Sequence, residues 1–179
     1  NNLVICLILF IYNKLNIKNF YQKVLKTPKV EGRGLIRIVV IKNKKIQFID
    51  ESYNASPITM KNSINYLNNY KINKNNRKFL ILGDMNELGT KSEKFHLNIV
   101  KDILDSKIDI IILCGRLFKK VLNKYKIKKS NIMYMENENL ILDFLKEEVH
   151  NNDTILVKCS NSTKVNNLAR NLNLMTKVV

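Results

Sequence analysis

The chain reads as an α/β protein built on a Rossmann-like, mostly parallel sheet with helices on both faces. Three observations predict it. From residue 78 onward, apolar runs rich in β-branched residues alternate with amphipathic stretches. Those runs are continuously apolar, as in strands covered on both sides. Polar clusters stand at the ends of apolar segments, which is where open α/β sheets place their ligands.

Taken in order, residues 1–26 read as two helical pieces broken near Leu15-Asn16, and Thr27-Pro28 ends them because the residue before proline disfavours helix. The piece Leu3–Tyr12 is apolar on every side. It is shorter than the about 20 residues a bilayer span needs and lacks the flanks of a signal peptide, so a buried helix is expected, one that wants partners this chain need not supply. Ile36–Ile41 and Lys45–Ile49 read as strands around a polar turn at Lys42-Asn43-Lys44. A helix runs from Pro57 to about Tyr70, with Met60, Ile64 and Leu67 at helical spacing, Ser56 as its cap and Pro57 as its first residue. Strands follow at Lys78–Leu82, Asp109–Cys114, Asn131–Met135 and Thr154–Lys158. Helices follow at Ser92–Asp105, Leu117–Tyr125, Leu140–Val149 and Ser162–Leu172. Right-handed crossovers place the ends of the parallel strands on one edge, which would carry Asp50, Gly83-Asp84, Gly115-Arg116 and Lys158. The one boundary in the pattern lies at Thr27–Arg33.

The 179 residues suffice for one buried α/β core. The formal charge of +16 raises the question of nucleic acid or an anionic surface. The lysines, however, are spread along the whole chain, arginine is confined to Arg33, Arg37, Arg77, Arg116 and Arg170, and no aromatic–basic stripe occurs. A compositional bias accounts for this better than a nucleic-acid partner, although the charge would steer anionic substrates. Cys6, Cys114 and Cys159 are too few and too widely spaced for a disulfide framework or a zinc motif, which points to a reducing cytoplasm and buried, inert thiols.

Glu31-Gly32-Arg33-Gly34 combines glycines that allow close backbone approach with an arginine that can clamp phosphate; an ordinary surface turn has the same look. Asp50-Glu51 could hold ribose hydroxyls or a metal, or start a turn. Tyr53 and Asn54 offer phenol and amide groups, and Asn-Ala-Ser-Pro is also plain turn chemistry. Asp84 and Glu87, in Gly83-Asp84-Met85-Asn86-Glu87-Leu88-Gly89, could receive an amine, with His96 on the next helix facing back toward the loop. Lys158, ending the last strand, could hold a carboxylate or phosphate, or snorkel at the surface. The chain contains no Gly-x-x-x-x-Gly-Lys-Ser/Thr loop, no Gly-x-Gly-x-x-Gly fingerprint and no Gly-x-Ser-x-Gly elbow, so no self-sufficient catalytic site is visible.

Val30-Glu-Gly-Arg-Gly34, Ile49-Asp-Glu-Ser-Tyr-Asn-Ala-Ser-Pro57, Leu82-Gly-Asp-Met-Asn-Glu-Leu-Gly89 with Ser92 and His96, and Leu156-Val-Lys-Cys-Ser160 occur in this order along the chain. Together they resemble the C-terminal part of a Mur ligase of the MurF type. That resemblance implies residues 1–30 as the helical end of a central ATP-binding domain and 31–179 as the C-terminal Rossmann-like domain. It implies an ATP- and magnesium-dependent ligase of peptidoglycan precursor synthesis, which joins D-Ala-D-Ala to UDP-N-acetylmuramoyl-tripeptide through an acyl phosphate. Arg33, Asp50, Glu51 and Asn54 would face ATP. Tyr53 and Ser56 would line the cleft between domains, and Asp84, Glu87, His96 and Lys158 the dipeptide side. The P-loop, the magnesium ligands and the tripeptide-nucleotide domain would precede Asn1, leaving no catalytic residue and no metal ligand in this chain and making it inactive alone. The family usually has two aspartates where Asp50-Glu51 stands, Asn where Ser56 stands, and Lys-Gly-Ser-Arg where Lys158-Cys159-Ser160-Asn161 stands. The other reading is a non-catalytic Rossmann-like module that binds a nucleotide or an anionic polymer.

Overall fold

A computed structural model describes residues 2–26 and 30–176, in two compact units, Asn1–Val30 and Glu31–Val179. The helix stop expected at Thr27-Pro28 lies outside the described residues. The first unit holds α1 (Asn2–Tyr12) and α2 (Ile17–Lys26), with the break where the sequence puts it and Phe10 packed on Phe20 at 4.8 Å between ring centroids. The expectation that the apolar first helix is buried is corrected here: Val4, Ile5, Ile8, Leu9 and Ile11 of α1 are each more than half exposed. The helix forms because its backbone bonds are local, but α2 is too short and polar to cover a cylinder that is apolar all round. Among the described residues no helix is long and apolar enough to cross a membrane.

The second unit is the expected α/β fold. Six strands lie in the order β1-β2-β6-β3-β4-β5: β1 (Leu35–Ile41), β2 (Lys44–Glu51), β3 (Lys78–Gly83), β4 (Ile110–Cys114), β5 (Ile132–Tyr134) and β6 (Thr154–Lys158). All neighbours are parallel except β1, which pairs antiparallel with β2. Lys42 and Asn43 both take left-handed backbone (φ 44° and 67°), as a two-residue hairpin requires. Because β1 runs backwards, its start, with Leu35 opposite Asp50, shares an edge with the ends of the parallel strands.

Helices α3 (Pro57–Asn69), α4 (Ser92–Leu104) and α5 (Arg116–Lys124) cover one face through Met60, Ile64, Leu67, Ile99, Ile103, Phe118 and Val121. Helices α6 (Glu138–Glu148) and α7 (Lys164–Leu174) cover the other through Ile141, Leu145, Val165, Leu168 and Leu172. Phe48, Phe79 and Phe118 are fully buried, each contributing about 1.5–3 kcal/mol.

This arrangement decides where ligands can go. Strand β6 lies between β2 and β3 and sends its helix, α7, to one face, while β2 and β3 send α3 and α4 to the other. Both neighbours of β6 therefore diverge from it at the strand ends, so a topological switch point, the usual place for a ligand, lies on each side of it.

Ser56 caps α3 as expected. Its hydroxyl accepts from the Thr59 N–H, and the Thr59 hydroxyl oxygen accepts from the Ser56 N–H, a reciprocal capping box. Replacing Ser56 with Ala should lower stability by about 1 kcal/mol, seen as a lower urea midpoint with an unchanged denaturant slope; an unchanged midpoint would deny the cap its role.

Candidate functional site

The crevice between β2 and β6 is filled. Glu51 and Lys158 are register partners at the two strand ends. The Lys158 ammonium is 3 % exposed and donates to the carbonyls of Glu51 (3.2 Å) and Asn54 (2.5 Å), with the Glu51 carboxylate at 3.4 Å. It is therefore not a snorkelling surface lysine: it ties the 51–54 turn to β6. Burial pushes its pKa below the ordinary lysine value, and Glu51 opposes that shift.

The two tandem acids separate, because successive residues on a strand point to opposite faces. Asp50 is 1 % exposed, and its carboxylate accepts from the N–H of Gly32 (3.1 Å), from the N–H and hydroxyl of Ser52 (3.1 and 2.7 Å) and from the Asn173 amide (2.7 Å). Glu51 is part-exposed and lies over Gly34. The glycine turn is stitched to the acids by Gly34 N–H to the Asp50 carbonyl (2.7 Å) and Tyr53 N–H to the Gly32 carbonyl (3.0 Å). Gly32 sits at φ 74°, and a Cβ there would stand 2.6 Å from the Tyr53 nitrogen, so only glycine fits. Arg33 is left exposed, its guanidinium 4.0 Å from the centre of the Tyr53 ring. Arg33, Glu51, Tyr53 and Asn54 thus form one exposed cluster, from which Asp50 and Lys158 are withdrawn. Ser56 sits beside it with its hydroxyl committed to Thr59.

The gap between β3 and β6 is bridged, by the Ser160 N–H to the Asp84 carbonyl (3.4 Å) among others, and the open space lies beyond it. A cleft of about 470 Å³ runs over the ends of β3, β4 and β5 against the first turn of α7, lined by Asp84, Asn86, Arg116, Lys119, Ser162 and Lys164, among others. Asp84 ends β3 and places its two carboxylate oxygens on the N–H groups of Leu117 (3.0 Å) and Phe118 (3.2 Å), capping α5 from outside that helix. Gly115 (φ 125°) makes room for this: a Cβ there would stand 2.4 Å from the Asp84 carboxylate carbon. Asn86 bridges to the far wall, its N–H donating to the Ser160 hydroxyl (3.0 Å) and its amide to the Ser162 hydroxyl (2.7 Å).

His96 is fully buried beneath this loop. Its Nε2 accepts from the Met85 N–H (3.0 Å), which leaves the proton on Nδ1, donated to the Ser92 carbonyl (2.7 Å). It faces the loop as expected, but as a support with neither ring nitrogen free. Glu87 is exposed on the same loop, in left-handed backbone (φ 63°), and does not line the cleft. Cys114 and Cys159 are buried, and burial pushes their thiols up to about 11 and about 12, so both stay protonated and inert. Among the described residues no three of His, Cys, Asp and Glu gather as a metal site.

Residues 36–161 match the family described as Mur ligase, glutamate ligase domain. The chain belongs to the Mur ligase family. As a Mur ligase domain it is 30 % identical over 147 residues to the UDP-N-acetylmuramoyl-tripeptide–D-alanyl-D-alanine ligase of Bacillus subtilis, covering 80 % of this chain and 31 % of that protein. It is 26 % identical over 176 residues to the enzyme of the same name from Borreliella burgdorferi, covering 97 % and 35 %. The chain thus spans about a third of the length of these relatives. Its fold is shared with MurF from Acinetobacter baumannii (TM-score 0.71, 20 % identity, 89 % of this chain and 34 % of that one). It is shared also with MurF from Thermotoga maritima solved with ADP (TM-score 0.62, 23 % identity, 83 % and 33 %).

Sequence reasoning missed the cleft's far wall, Ser162 to Lys164, and the amides of Asn86 and Asn173. The short hydroxyl-rich run directly after β6 was the available signal for the wall. The amides carried none, because asparagine is scattered through the whole chain.

His96 generates a pH prediction. Burial holds its folded-state pKa below the ordinary 6.5, against the opposing pull of the Ser92 carbonyl and Asp84. As pH falls the unfolded chain takes up the proton first. The stabilisation is therefore complete above about pH 6.5 and is lost as pH drops through the folded-state value. The thermal midpoint should fall more steeply between pH 7 and pH 5 in the wild type than in His96→Gln; parallel curves would remove His96 from the account.

Proposed function

We propose that this chain supplies the C-terminal domain of an ATP-dependent ligase that adds D-Ala-D-Ala to UDP-N-acetylmuramoyl-tripeptide in the cytoplasm. Residues 1–30 are read as the end of the preceding central domain, and the P-loop and magnesium ligands as parts of chain outside these 179 residues. Family membership and the names of the relatives support this reading. The observation that carries it is geometric: an exposed arginine held between two constrained glycines and an open charged cleft stand at the same sheet edge, on opposite sides of β6. The exposed apolar flank of α1 supports the assignment of residues 1–30, since such a surface calls for cover.

The residues fit a nucleotide on one side. Arg33 is free to hold phosphate oxygens, Tyr53 limits its conformations, and Glu51 and Asn54 present a carboxylate and an amide for ribose hydroxyls. Asp50 serves by holding the turn. ATP supplies the energy for amide formation by activating the tripeptide carboxylate. On the other side, the cations Arg116, Lys119 and Lys164 suit the dipeptide's terminal carboxylate, and Asp84 and Glu136 suit its amine. Glu87 stands at the approach, His96 sets the loop from below, and Lys158 ties the 51–54 turn to β6.

The test is a chimera in which residues 31–179 replace the matching region of the Bacillus subtilis ligase. ATP- and D-Ala-D-Ala-dependent ligation is expected, and Arg33→Ala should lower kcat/KM for ATP by about 100-fold. The 179-residue chain alone should not ligate. Ligation by the isolated chain would overturn its incompleteness. A chimera without ligation, joined to nucleic-acid binding that weakens steeply with salt and ignores Arg33→Ala, would favour the polyanion-binding reading instead.

A further inference from the structure

We propose that Asn173, in the last turn of α7, is a positioning residue for the Gly32–Arg33–Gly34 turn and so for the Arg33 guanidinium. This rests on the reading of that turn as nucleotide-facing. Of the four donors on the buried Asp50 carboxylate, two come from Ser52 two residues on and one from Gly32 across the β1–β2 hairpin; Asn173 is the one supplied by a helix. None of the four is a cation. Asn173 and the Gly32 N–H share the same carboxylate oxygen, Oδ2, so the amide sets the position of the atom that the turn hangs on.

The orientation of that amide is itself determined. Arg37 donates to the Asn173 oxygen at 2.7 Å, which leaves the amide nitrogen facing Asp50, and Arg37 is held by Glu31 at 3.2 Å. A closed relay therefore runs from Glu31 through Arg37, Asn173 and Asp50 back to Gly32, the residue next to its start. Two turns earlier on the same face of α7, Asn166 donates to the Ser52 carbonyl at 3.0 Å. Helix α7 thus grips the 50–52 segment at both ends, while its first turn lines the open cleft. Gly32 and Gly34 carry no side chain to resist displacement. The Arg33 side chain itself rests on the Tyr53 ring.

Asn173→Asp is nearly isosteric and turns the donor into an acceptor facing Asp50. Asn173→Gln retains the amide. In the 179-residue chain, hydrogen exchange followed by NMR should show the Gly32 and Gly34 amides exchanging about tenfold faster in Asn173→Asp, with Leu82 and Leu113 unchanged and Asn173→Gln partly restored. Unchanged Gly32 exchange, or a rise shared by every amide, overturns the assignment. In the chimera, Asn173→Asp should raise KM for ATP about tenfold while leaving kcat and KM for D-Ala-D-Ala within about twofold. Equal rises for both substrates would make the residue merely structural. A wild-type chimera that does not ligate refutes the functional reading instead, and the exchange measurement still decides whether Asn173 holds the turn.

Discussion

Strand β6 feeds its helix to the face that its two neighbours leave to it, and the rest of the site follows from that divergence. A sheet whose adjacent strands turn to the same side closes its end with packed loops. Here the chain parts on both sides of a single strand, leaving two gaps about one strand spacing apart. What fills each gap differs. The gap toward β2 receives a lysine side chain and is closed. The gap toward β3 is bridged by small hydroxyls and an asparagine, and the open cleft lies beyond it, over the ends of β3, β4 and β5.

The closed gap is electrostatically demanding. A nearly fully buried ammonium loses several kcal/mol of hydration, and one carboxylate at 3.4 Å does not restore it. Two backbone carbonyls supply the remainder, and both belong to the turn that carries Tyr53 and Asn54. The ion therefore fixes the turn, and the turn meets the condition for burying the ion. Asp84 follows the same logic at the open cleft. Its charge is satisfied by helix N–H groups, so a carboxylate can stand at the wall of a cleft with its orientation already determined.

Most of the fold was legible. Continuous apolar runs separated by amphipathic stretches marked every strand from β3 to β6, and Ser56-Pro57 marked the start of α3 to the residue. The ends of α6 and α7 differ from the expected ones by about two residues, the ordinary uncertainty where capping rather than periodicity sets a boundary. At α1 the sequence showed a helix apolar on every side that wants partners, but not that the same chain leaves its flank uncovered. Within the candidate site, residue type showed which polar residues stand near strand ends but not which of them are buried. Lys158, His96 and Asp50 were legible as polar residues near strand ends. Whether each faces a ligand or the interior depends on burial, which neighbouring elements decide.

The tandem acids show how far that distinction reaches. Read as a pair, Asp50-Glu51 suggests two carboxylates serving one ligand. On a strand they cannot, since alternation sends them to opposite faces of the sheet, Asp50 into the buried interior and Glu51 to a part-exposed edge. Their lengths suit the separate duties. The shorter inner acid is buried among four donors. The longer outer acid stretches over Gly34, to within reach of the buried ammonium, and stays part-exposed. An aspartate at position 51 would be about 1.5 Å shorter and would draw back from both. Glutamate here therefore moves the outer carboxylate toward the Arg33 turn, and it does so without disturbing the inner one that holds the turn in place.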